Sequence, residues 1–407
     1  MGDRPFHVGA IGTGNVFNHA HVPAYVALDS VQLTAIYDPD PQAAERTRQN
    51  YTEHLAQATG SPADPVEVAL CNNPEALLEQ VDIVDICTPA RWHPYYVAMA
   101  LARDIHAMTE KPMARTWWEA RHAAEVAAKS SAFFQLNDDN PFLPRYRVLR
   151  NVIDSGMIGQ VQTIWIARGS HGPEWNPWFW QPQEGGGECV MDYGTHAVTS
   201  VWFLIGYDKV PAEVRSLGLA ARQRMRLIGG RFRQIEIDDD AHFKVRFVDP
   251  ANGDWVTAVI EATWSWPELG PRGDSLHGYI SIRGSTGTVT GTVDEEGQDY
   301  LRITWYAGGE RLIPVETVLA ERESFQAEID NFVRCIQAGE PSILNADIGV
   351  GVMGVLNAAQ LSELRGRVAV TPQVVTEFSQ EVAGDAPDPW QGGDRIIAAL
   401  AKPYQLD

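Results

Sequence analysis

The sequence predicts an α/β protein: an N-terminal doubly wound parallel sheet plus a C-terminal α+β domain with a large open, mostly antiparallel sheet. In the first third of the chain, short apolar runs alternate with helix-compatible stretches. From about residue 161, segments that alternate apolar and polar residues are separated by turn residues, as at 250–253 and 307–309. A chain of 407 residues exceeds the usual size of one hydrophobic core, so two domains are expected.

The first predicted strand leads into a glycine turn. Residues 6–11 form a short apolar run, Gly12 and Gly14 follow it, and residues 19–28 are compatible with a helix. In this order, the glycines permit a tight turn and let backbone amides approach a pyrophosphate at the positive end of the helix. Phe17 stands where a third small residue is expected, so the helix and the strand pack less closely there.

The second strand, residues 31–37, ends at Asp38. An acid at this distance from the glycine turn can accept hydrogen bonds from the hydroxyls of an adenosine ribose. Its charge repels a 2′-phosphate, and Pro39 and Asp40 supply no arginine to neutralise one, so NAD is favoured over NADP. The alternative interpretation is a simple Asp-Pro turn.

Two further strand ends are predicted to meet the same crevice. Residues 81–87 are followed by Thr88 and Pro89, and residues 105–109 are followed by Glu110-Lys111-Pro112. Parallel sheets bind ligands at the carboxyl ends of their strands, so Lys111 should place its ammonium near the reactive end of a cofactor. The alternative is a solvated surface lysine. His93 either caps its helix or lines the crevice.

The ordered motifs resemble the glucose-fructose oxidoreductase, inositol dehydrogenase and MocA family from about Phe6 to Pro372. They are Gly12-x-Gly14, Asp38, Cys87-Thr-Pro89 with His93, Glu110-Lys-Pro112, Gly185-Gly-Gly187 and Asp192-x-Gly194-x-His196. The resemblance implies an NAD-binding Rossmann domain and a large sheet whose outer face serves in oligomer contacts, so a homo-oligomer (dimer or tetramer) is expected. Asp138 and Asp139 stand where many relatives carry a basic residue.

The predicted domains are an NAD-binding Rossmann domain at 1–137, a substrate and oligomerisation domain at 138–369, and a C-terminal arm at 370–407. Amphipathic helices are predicted at 325–337 and 348–364. The proline-rich arm lies beyond the family core and either wraps a neighbouring subunit or tethers on the surface.

Asp192 and His196 are four residues apart, so on a helix they share one face. With Lys111 they supply a carboxylate, an imidazole and an ammonium, the set needed to oxidise a secondary alcohol. An ordinary imidazole titrates at about 6.5, which suits a general base near neutral pH, so His196 is the predicted base. Lys111 should stabilise the developing alkoxide or share the proton transfer, and Asp192 should hold a substrate hydroxyl or orient Lys111. Alternatively, these residues are a helix cap and a core histidine.

Residues 168–180 are predicted to shape the substrate pocket. The chain has 13 tryptophans, and Trp175, Trp178 and Trp180 fall in this segment. Indole faces cover the apolar face of a pyranose or cyclitol, although core or subunit contacts are the alternative. Arg168 and His171 add positive charge, which makes an acidic or glycosidic sugar possible.

The predicted cofactor-binding residues are Gly12, Gly14, Asn15, Val16, Asp38, Thr88, Pro89, His93, Glu110, Lys111 and Asn137. The predicted substrate-binding residues are Lys111, Arg168, His171, Trp175, Trp178, Trp180, Asp192, Tyr193 and His196.

Composition excludes several classes. A formal net charge of −21 argues against nucleic acid and membrane surfaces as partners. The four cysteines show no C-x-x-C or metal-ligand spacing, so no metal is expected. No secretory signal or bilayer-spanning segment is evident, and a cytoplasmic location is expected.

Three functions remain open. The first is an NAD-dependent dehydrogenase acting on a ring secondary hydroxyl of a sugar, glycoside or cyclitol. The second is an NAD-dependent glycosidase that oxidises C3 transiently, eliminates the aglycone and re-reduces the ring, with Tyr193 or His171 as an additional base. The third is a non-catalytic sugar and nucleotide sensor, which would not need Lys111, Asp192 and His196 together.

Overall fold

The computed structural model describes residues 4–60, 67–186, 189–266, 278–293, 298–315 and 320–401. The chain divides into two compact units. The first unit comprises the described residues within 1–114, 120–142 and 319–349, and the second comprises those within 115–119, 143–318 and 350–407.

A six-stranded parallel sheet forms the centre of the first unit, as predicted. Its strands are β1 (Phe6–Ile11), β2 (Val31–Tyr37), β3 (Ala69–Leu70), β4 (Ile83–Ile86), β5 (His106–Glu110) and β6 (Phe134–Asn137). They are ordered β3-β2-β1-β4-β5-β6. Strands β2 and β3 are added on one side of β1, and strands β4 to β6 are added on the other. The carboxyl ends of β1 and β4 therefore lie at the switch point where such sheets bind ligands.

Helices cover the sheets and connect the strands. In chain order they are α1 (Val22–Ala27), α2 (Pro41–Thr59), α3 (Pro74–Leu78), α4 (His93–Leu101), α5 (Trp117–Ala127), α6 (Pro144–Asp154), α7 (Pro182–Gly185), α8 (Cys189–Ile205), α9 (Ala320–Ala338), α10 (Ala346–Leu364), α11 (Pro372–Ala383) and α12 (Pro389–Leu400). Among the described helices, none is both long enough and apolar enough to cross a bilayer.

The first helix differs from the prediction of a regular helix over 19–28. A π-helical turn, Phe17–His21, precedes α1. Phe17 is fully buried in the core of the first unit. The wider turn accommodates this large side chain where a small residue would allow closer packing.

The second unit contains an eight-stranded sheet. The remaining strands of the chain are β7 (Val161–Gly169), β8 (Val210–Ala220), β9 (Met225–Ile228), β10 (Arg231–Gln234), β11 (Asp240–Val248), β12 (Trp255–Thr263), β13 (Tyr279–Gly284), β14 (Gly287–Val293), β15 (Asp299–Trp305) and β16 (Glu310–Val315). The order is β16-β15-β14-β13-β7-β12-β11-β8, and only the β7–β12 pair is parallel within this described sheet. Strands β9 and β10 form a separate hairpin.

Alternating burial in this sheet follows the sequence pattern. Along β11, Phe243, Val245 and Phe247 are fully buried and alternate with more exposed residues. Since successive side chains of a strand point to opposite faces, one face of β11 is covered. The mostly antiparallel sheet predicted for this half of the chain is confirmed.

The compact units do not follow the predicted boundaries at 137 and 369. Helix α9 belongs to the first unit, where Ile329, Phe332 and Val333 join the core that contains Val8 and Leu33. The amphipathic pattern at 325–337 predicted a helix. It did not indicate which of the two sheets the apolar face of that helix would cover.

The C-terminal segment, predicted to be a proline-rich arm, is helical. Its described residues form α11 and α12, which pack on each other in the second unit. Pro372 and Pro389 occupy first helical positions, where a missing N–H costs nothing, so these prolines start helices instead of excluding them. Arg115 Nη1 donates to Asp394 Oδ1 at 2.7 Å, which ties α12 to this unit.

Candidate active site

The first residue of the glycine turn after β1, Gly12, has no room for a side chain. Gly12 has φ +84°, and a Cβ there would lie 2.7 Å from Thr88 Cγ2 and 2.9 Å from the Cys87 carbonyl. Gly14 differs, because a Cβ built on it meets nothing within 4 Å among the described residues. Gly12 is therefore required by the fold, whereas the space at Gly14 is open to an approaching ligand.

Asp38 lies at the end of β2 beside this turn, as predicted. Its Oδ2 accepts hydrogen bonds from Thr13 N at 2.8 Å and Thr13 Oγ1 at 2.9 Å, and its Oδ1 accepts from Asp40 N at 2.9 Å. The carboxylate is thus held in one position next to the glycine turn.

His93 connects two strand ends. Its Nδ1 lies 2.7 Å from the carbonyl oxygen of Pro112, and its Nε2 lies 2.6 Å from that of Thr88. Burial lowers the pKa of His93, against the opposing effect of the two carbonyl acceptors. Both ring nitrogens face the protein backbone, so His93 ties the turn after β4 to the Lys111–Pro112 bond, which is cis. It is the first residue of α4, and Trp92 occupies the N-cap position before it.

Two buried polar atoms lie at the carboxyl ends of β4 and β6, the strands on either side of β5. Thr88 Oγ1 and Asn137 Nδ2 are buried and have no hydrogen-bond partner among the described residues. Buried polar groups normally find a partner, so these two atoms indicate a ligand. Val16, beyond Gly14, is 41% exposed, and Asn15 beside it is exposed too. The residues present therefore suit the NAD predicted from the sequence.

Helix α8 carries Asp192, Tyr193 and His196 in the second unit. The indole Nε1 of Trp264 donates to Asp192 Oδ2 at 2.9 Å. His196 lies one helical turn further on, and its ring centroid is 6.3 Å from that of Tyr193. Asp192 and His196 thus share one helix, as their spacing predicts.

Two glycines of this region serve packing. A Cβ on Gly194 would lie 3.1 Å from Leu356 Cδ2, and Gly186, with φ +80°, would place one 3.0 Å from Arg115 Cα. At Gly194 the direction of a Cβ is therefore filled by side chains of the second unit. Gly187 lies outside the described residues.

Trp180 packs against the residue that binds Asp192. Its ring centroid is 5.0 Å from that of Trp264, and the guanidinium of Arg226 lies 5.1 Å from the centroid of the Trp180 ring. Arg226 is fixed by Glu174 at 2.5 Å and Asp239 at 2.6 Å. A cation held over an indole face in this way is stabilising.

The other predicted pocket residues are placed differently. Trp178 stacks on Phe179 at 4.0 Å, and Trp175 is 61% exposed. His171 is exposed, whereas Arg168 is buried in β7.

Trp180 also lines a cavity of about 540 Å³ within the second unit. Arg224 and Arg233 contribute guanidinium groups, and neither forms an ion pair with another described side chain. Gln181 and Gln183 add amide groups to the lining. Glu236 adds one carboxylate to the two guanidinium groups, so the cavity has the size of a small-ligand site and presents a net positive charge.

The sequence patterns did not single out Trp264, which contacts Asp192 and Trp180, or Arg226, which contacts Trp180. Trp264 follows the end of β12, and Arg226 lies in the β9–β10 hairpin, so both reach Trp180 from distant parts of the chain. Strand-end position was the one available signal for Trp264.

The parallel sheet, with the glycine turn after β1 and Asp38 after β2, is typical of a dinucleotide-binding Rossmann domain. The chain belongs to the GFO/IDH/MocA family: residues 6–138 match the model of the oxidoreductase family's NAD-binding Rossmann fold, and residues 146–290 match the GFO/IDH/MocA C-terminal domain. The resemblance and the cofactor predicted from the sequence are both confirmed.

Characterised relatives are distant. D-glucoside 3-dehydrogenase of Escherichia coli (strain K12) is 27% identical over 214 residues, or 52% of this chain and 57% of that protein. Inositol 2-dehydrogenase of Rhizobium meliloti (strain 1021) is 23% identical over 358 residues, or 86% of this chain and 94% of that protein. The structure of levoglucosan dehydrogenase with NADH and levoglucosan matches with a TM-score of 0.74 and 19% identity, covering 90% of this chain and 99% of that one. This last likeness shows the fold. The match to D-glucoside 3-dehydrogenase spans only 57% of that protein's length.

Proposed function

We propose that the protein is an NAD-dependent dehydrogenase that oxidises a ring secondary hydroxyl of a sugar, glycoside or cyclitol. The observation that carries the proposal is the chain of contacts from Asp192 through Trp264 to Trp180. It couples a hydrogen-bonding carboxylate to an indole wall, the combination that suits a ring with hydroxyls on its rim. Relatives named D-glucoside 3-dehydrogenase and inositol 2-dehydrogenase support the same substrate class.

The proposed roles follow from the chemistry of each group. Bound NAD supplies the acceptor for the hydride that leaves the substrate carbon. His196 takes the hydroxyl proton, since imidazole is the side chain best suited to a base near neutral pH. Lys111 stabilises the developing alkoxide with its positive charge. Asp192, held by Trp264, binds a substrate hydroxyl.

An acidic ring substrate is favoured by the charge of the cavity beside Trp180. Arg224 and Arg233 line it in a protein whose formal net charge is −21. Guanidinium groups bind carboxylate or phosphate with two parallel hydrogen bonds. A uronic acid or a sugar phosphate would satisfy both arginines.

A substrate screen tests the proposal. The purified protein is incubated with NAD and hexoses, cyclitols, uronic acids, sugar phosphates or aryl glycosides, and NADH absorbance and aglycone release are followed together. Accumulation of NADH with a ring polyol is the expected result. Binding of sugar and NAD without turnover would contradict it and indicate a sensor.

A redox-neutral glycosidase is the second candidate, favoured by the ionisable hydroxyl of Tyr193 on the same helix as His196. After oxidation at C3, a base must remove the C2 hydrogen before the aglycone leaves. Aglycone release with a catalytic amount of NAD and no net NADH would identify this reaction. A homo-oligomeric assembly and a cytoplasmic location remain predictions.

A further inference from the structure

A fully buried histidine joins two strand ends of the first unit. His21 Nδ1 lies 2.7 Å from Asp85 Oδ2 on β4, and His21 Nε2 lies 3.0 Å from Glu110 Oε1 at the end of β5. The side chain of His21 is 0% exposed, as is that of Asp85. Glu110 directly precedes Lys111, so this contact reaches the residue before the proposed catalytic lysine.

The hydrogen bonds favour a doubly protonated ring. A carboxylate only accepts hydrogen bonds, so both His21 nitrogens must carry protons to donate to Asp85 and Glu110. Tyr25 also donates its hydroxyl to Asp85 Oδ2, at 2.6 Å. Burial is the largest single influence on the pKa of His21 and lowers it, but the electrostatic interactions with Asp85 and Cys87 and the hydrogen bonds to both together raise that pKa well above its usual value.

The remaining neighbours of His21 do not supply a competing cation. The Cys87 thiol lies 3.7 Å from His21 Nδ1, and burial raises the pKa of Cys87, which keeps the thiol neutral. Glu328 is buried with neither carboxyl oxygen hydrogen-bonded to a described residue, and burial raises its pKa, followed by the charges of Glu110 and Asp139. The ring of Phe325 lies 5.6 Å from the His21 ring and excludes water there.

We propose that His21 is a positioning residue: its imidazolium donates to Asp85 and Glu110 together, ties the carboxyl ends of β4 and β5, and holds the Glu110–Lys111–Pro112 turn for hydride transfer. The catalytic role of Lys111 in this proposal rests on the proposed function. His21 itself is proposed to contact neither the substrate nor the cofactor. A displacement of about 1 Å in a reacting group can cost 10²-fold in rate, so a loose turn would be costly.

The stabilising contribution of His21 should decrease as the pH rises. The folded-state pKa of His21 is raised above the unfolded value of about 6.5. Its contribution to stability is therefore complete below about pH 6.5 and is lost as the pH rises through the folded-state pKa. The turnover of the wild type should fall in the same alkaline range.

The test compares His21→Gln and Glu110→Gln with a matched control, His106→Gln. His106 lies at the opposite end of β5, where its Nδ1 accepts from Phe133 N at 3.0 Å and no described carboxylate accepts a hydrogen bond from its ring. We expect kcat to fall about 10- to 100-fold in the first two variants, with the NAD affinity of His21→Gln within about threefold of wild type. The alkaline limb that belongs to His21 should disappear from the pH profile in His21→Gln. A kcat equal to that of His106→Gln, or parallel losses of kcat and NAD affinity in His21→Gln, would overturn the proposal.

Two spectroscopic readouts do not depend on turnover. The ¹⁵N signals of His21 at pH 7.5 should show both ring nitrogens protonated, and a neutral ring would overturn the proposal. The ¹³C-methylated Lys111 signal should titrate differently in Glu110→Gln, and an identical titration would overturn the link to Lys111. If the wild type oxidises no ring polyol, the proposed function fails while these signals still decide the role of His21. If His21→Gln does not fold, the ¹⁵N signals of His21 in the wild type and the Lys111 titration in the nearly isosteric Glu110→Gln still decide the proposal.

Discussion

The predicted cofactor-binding residues and the predicted substrate-binding residues are held in different ways. In the first unit, His93 contacts the backbone of Thr88 and Pro112, and Asp38 contacts Thr13, so strand-end turns position each other. In the second unit, Asp192 is held by the side chain of Trp264, and the Trp180 wall depends on Arg226. The comparison teaches that the cofactor half is built from backbone turns that short motifs encode, whereas the substrate half is built from distant side chains that can vary independently.

Substitution of Lys111 should have the largest effect on turnover and should separate hydride transfer from NAD binding. Lys111→Ala should abolish hydride transfer and leave NAD binding nearly intact, because the ammonium acts on the alcohol oxygen and not on the adenosine half. Single-turnover NADH formation and NAD titration measure the two properties. The control, Lys129→Ala, changes an exposed lysine just beyond α5. Equal losses of NAD affinity and rate would contradict the assignment.

His196→Ala should reduce turnover by about 10²- to 10⁴-fold, the usual contribution of a positioned general base. The acidic limb of the pH profile of kcat/KM should disappear with it. His242→Ala, which removes a histidine paired with Asp240 on β11, is the control. An unchanged acidic limb in His196→Ala would move the role of base to Lys111.

Asp38 tests the cofactor half alone. Asp38→Ala should weaken NAD binding by about 1.5–3 kcal/mol, the range for hydrogen bonds to a charged group, and should lessen discrimination against NADP. Asp40→Ala is the matched control, since Asp40 caps α2 by accepting from Gln42 N at 2.9 Å. Fluorescence titration with NADH and NADPH measures both effects. A wild type that prefers NADPH would contradict the argument from charge.

The smallest expected effect concerns the substrate half. Trp180→Ala should raise KM by a factor equivalent to about 1–3 kcal/mol of lost apolar burial, with NAD affinity unchanged. Trp255→Ala is the control, because Trp255 is 52% exposed on β12 and stacks with Arg246. If Trp180→Ala alters only subunit assembly, as measured by light scattering, its indole belongs to an interface.

Much of the fold follows from sequence pattern, because strand ends and glycine turns are local. The glycine turn, Asp38 and the helix that carries Asp192 and His196 lie at their predicted places. The π-helical turn at Phe17 was not predictable from a motif that specifies only a small residue. Trp264 and Arg226 were not predicted, because each contacts residues that are far away in the chain.

His21 illustrates this limit. It lies in a helix-compatible stretch, and its partners Asp85 and Glu110 are 64 and 89 residues away. Trp264 is 72 residues from Asp192. No local pattern encodes such pairs, because they exist only after the strands have assembled. The C-terminal helices were missed for a different reason, since prolines at first helical positions resemble those of an irregular arm.

The central claim is that the protein removes a hydride from a ring carbon and passes it to nicotinamide. The direct test uses the best ring polyol from the screen, deuterated at the carbon that bears the reacting hydroxyl, with NAD in excess. Mass spectrometry of the NADH formed should show one deuterium for each molecule of ring ketone produced. NADH without deuterium, or product formed while NAD is neither consumed nor labelled, would contradict the account.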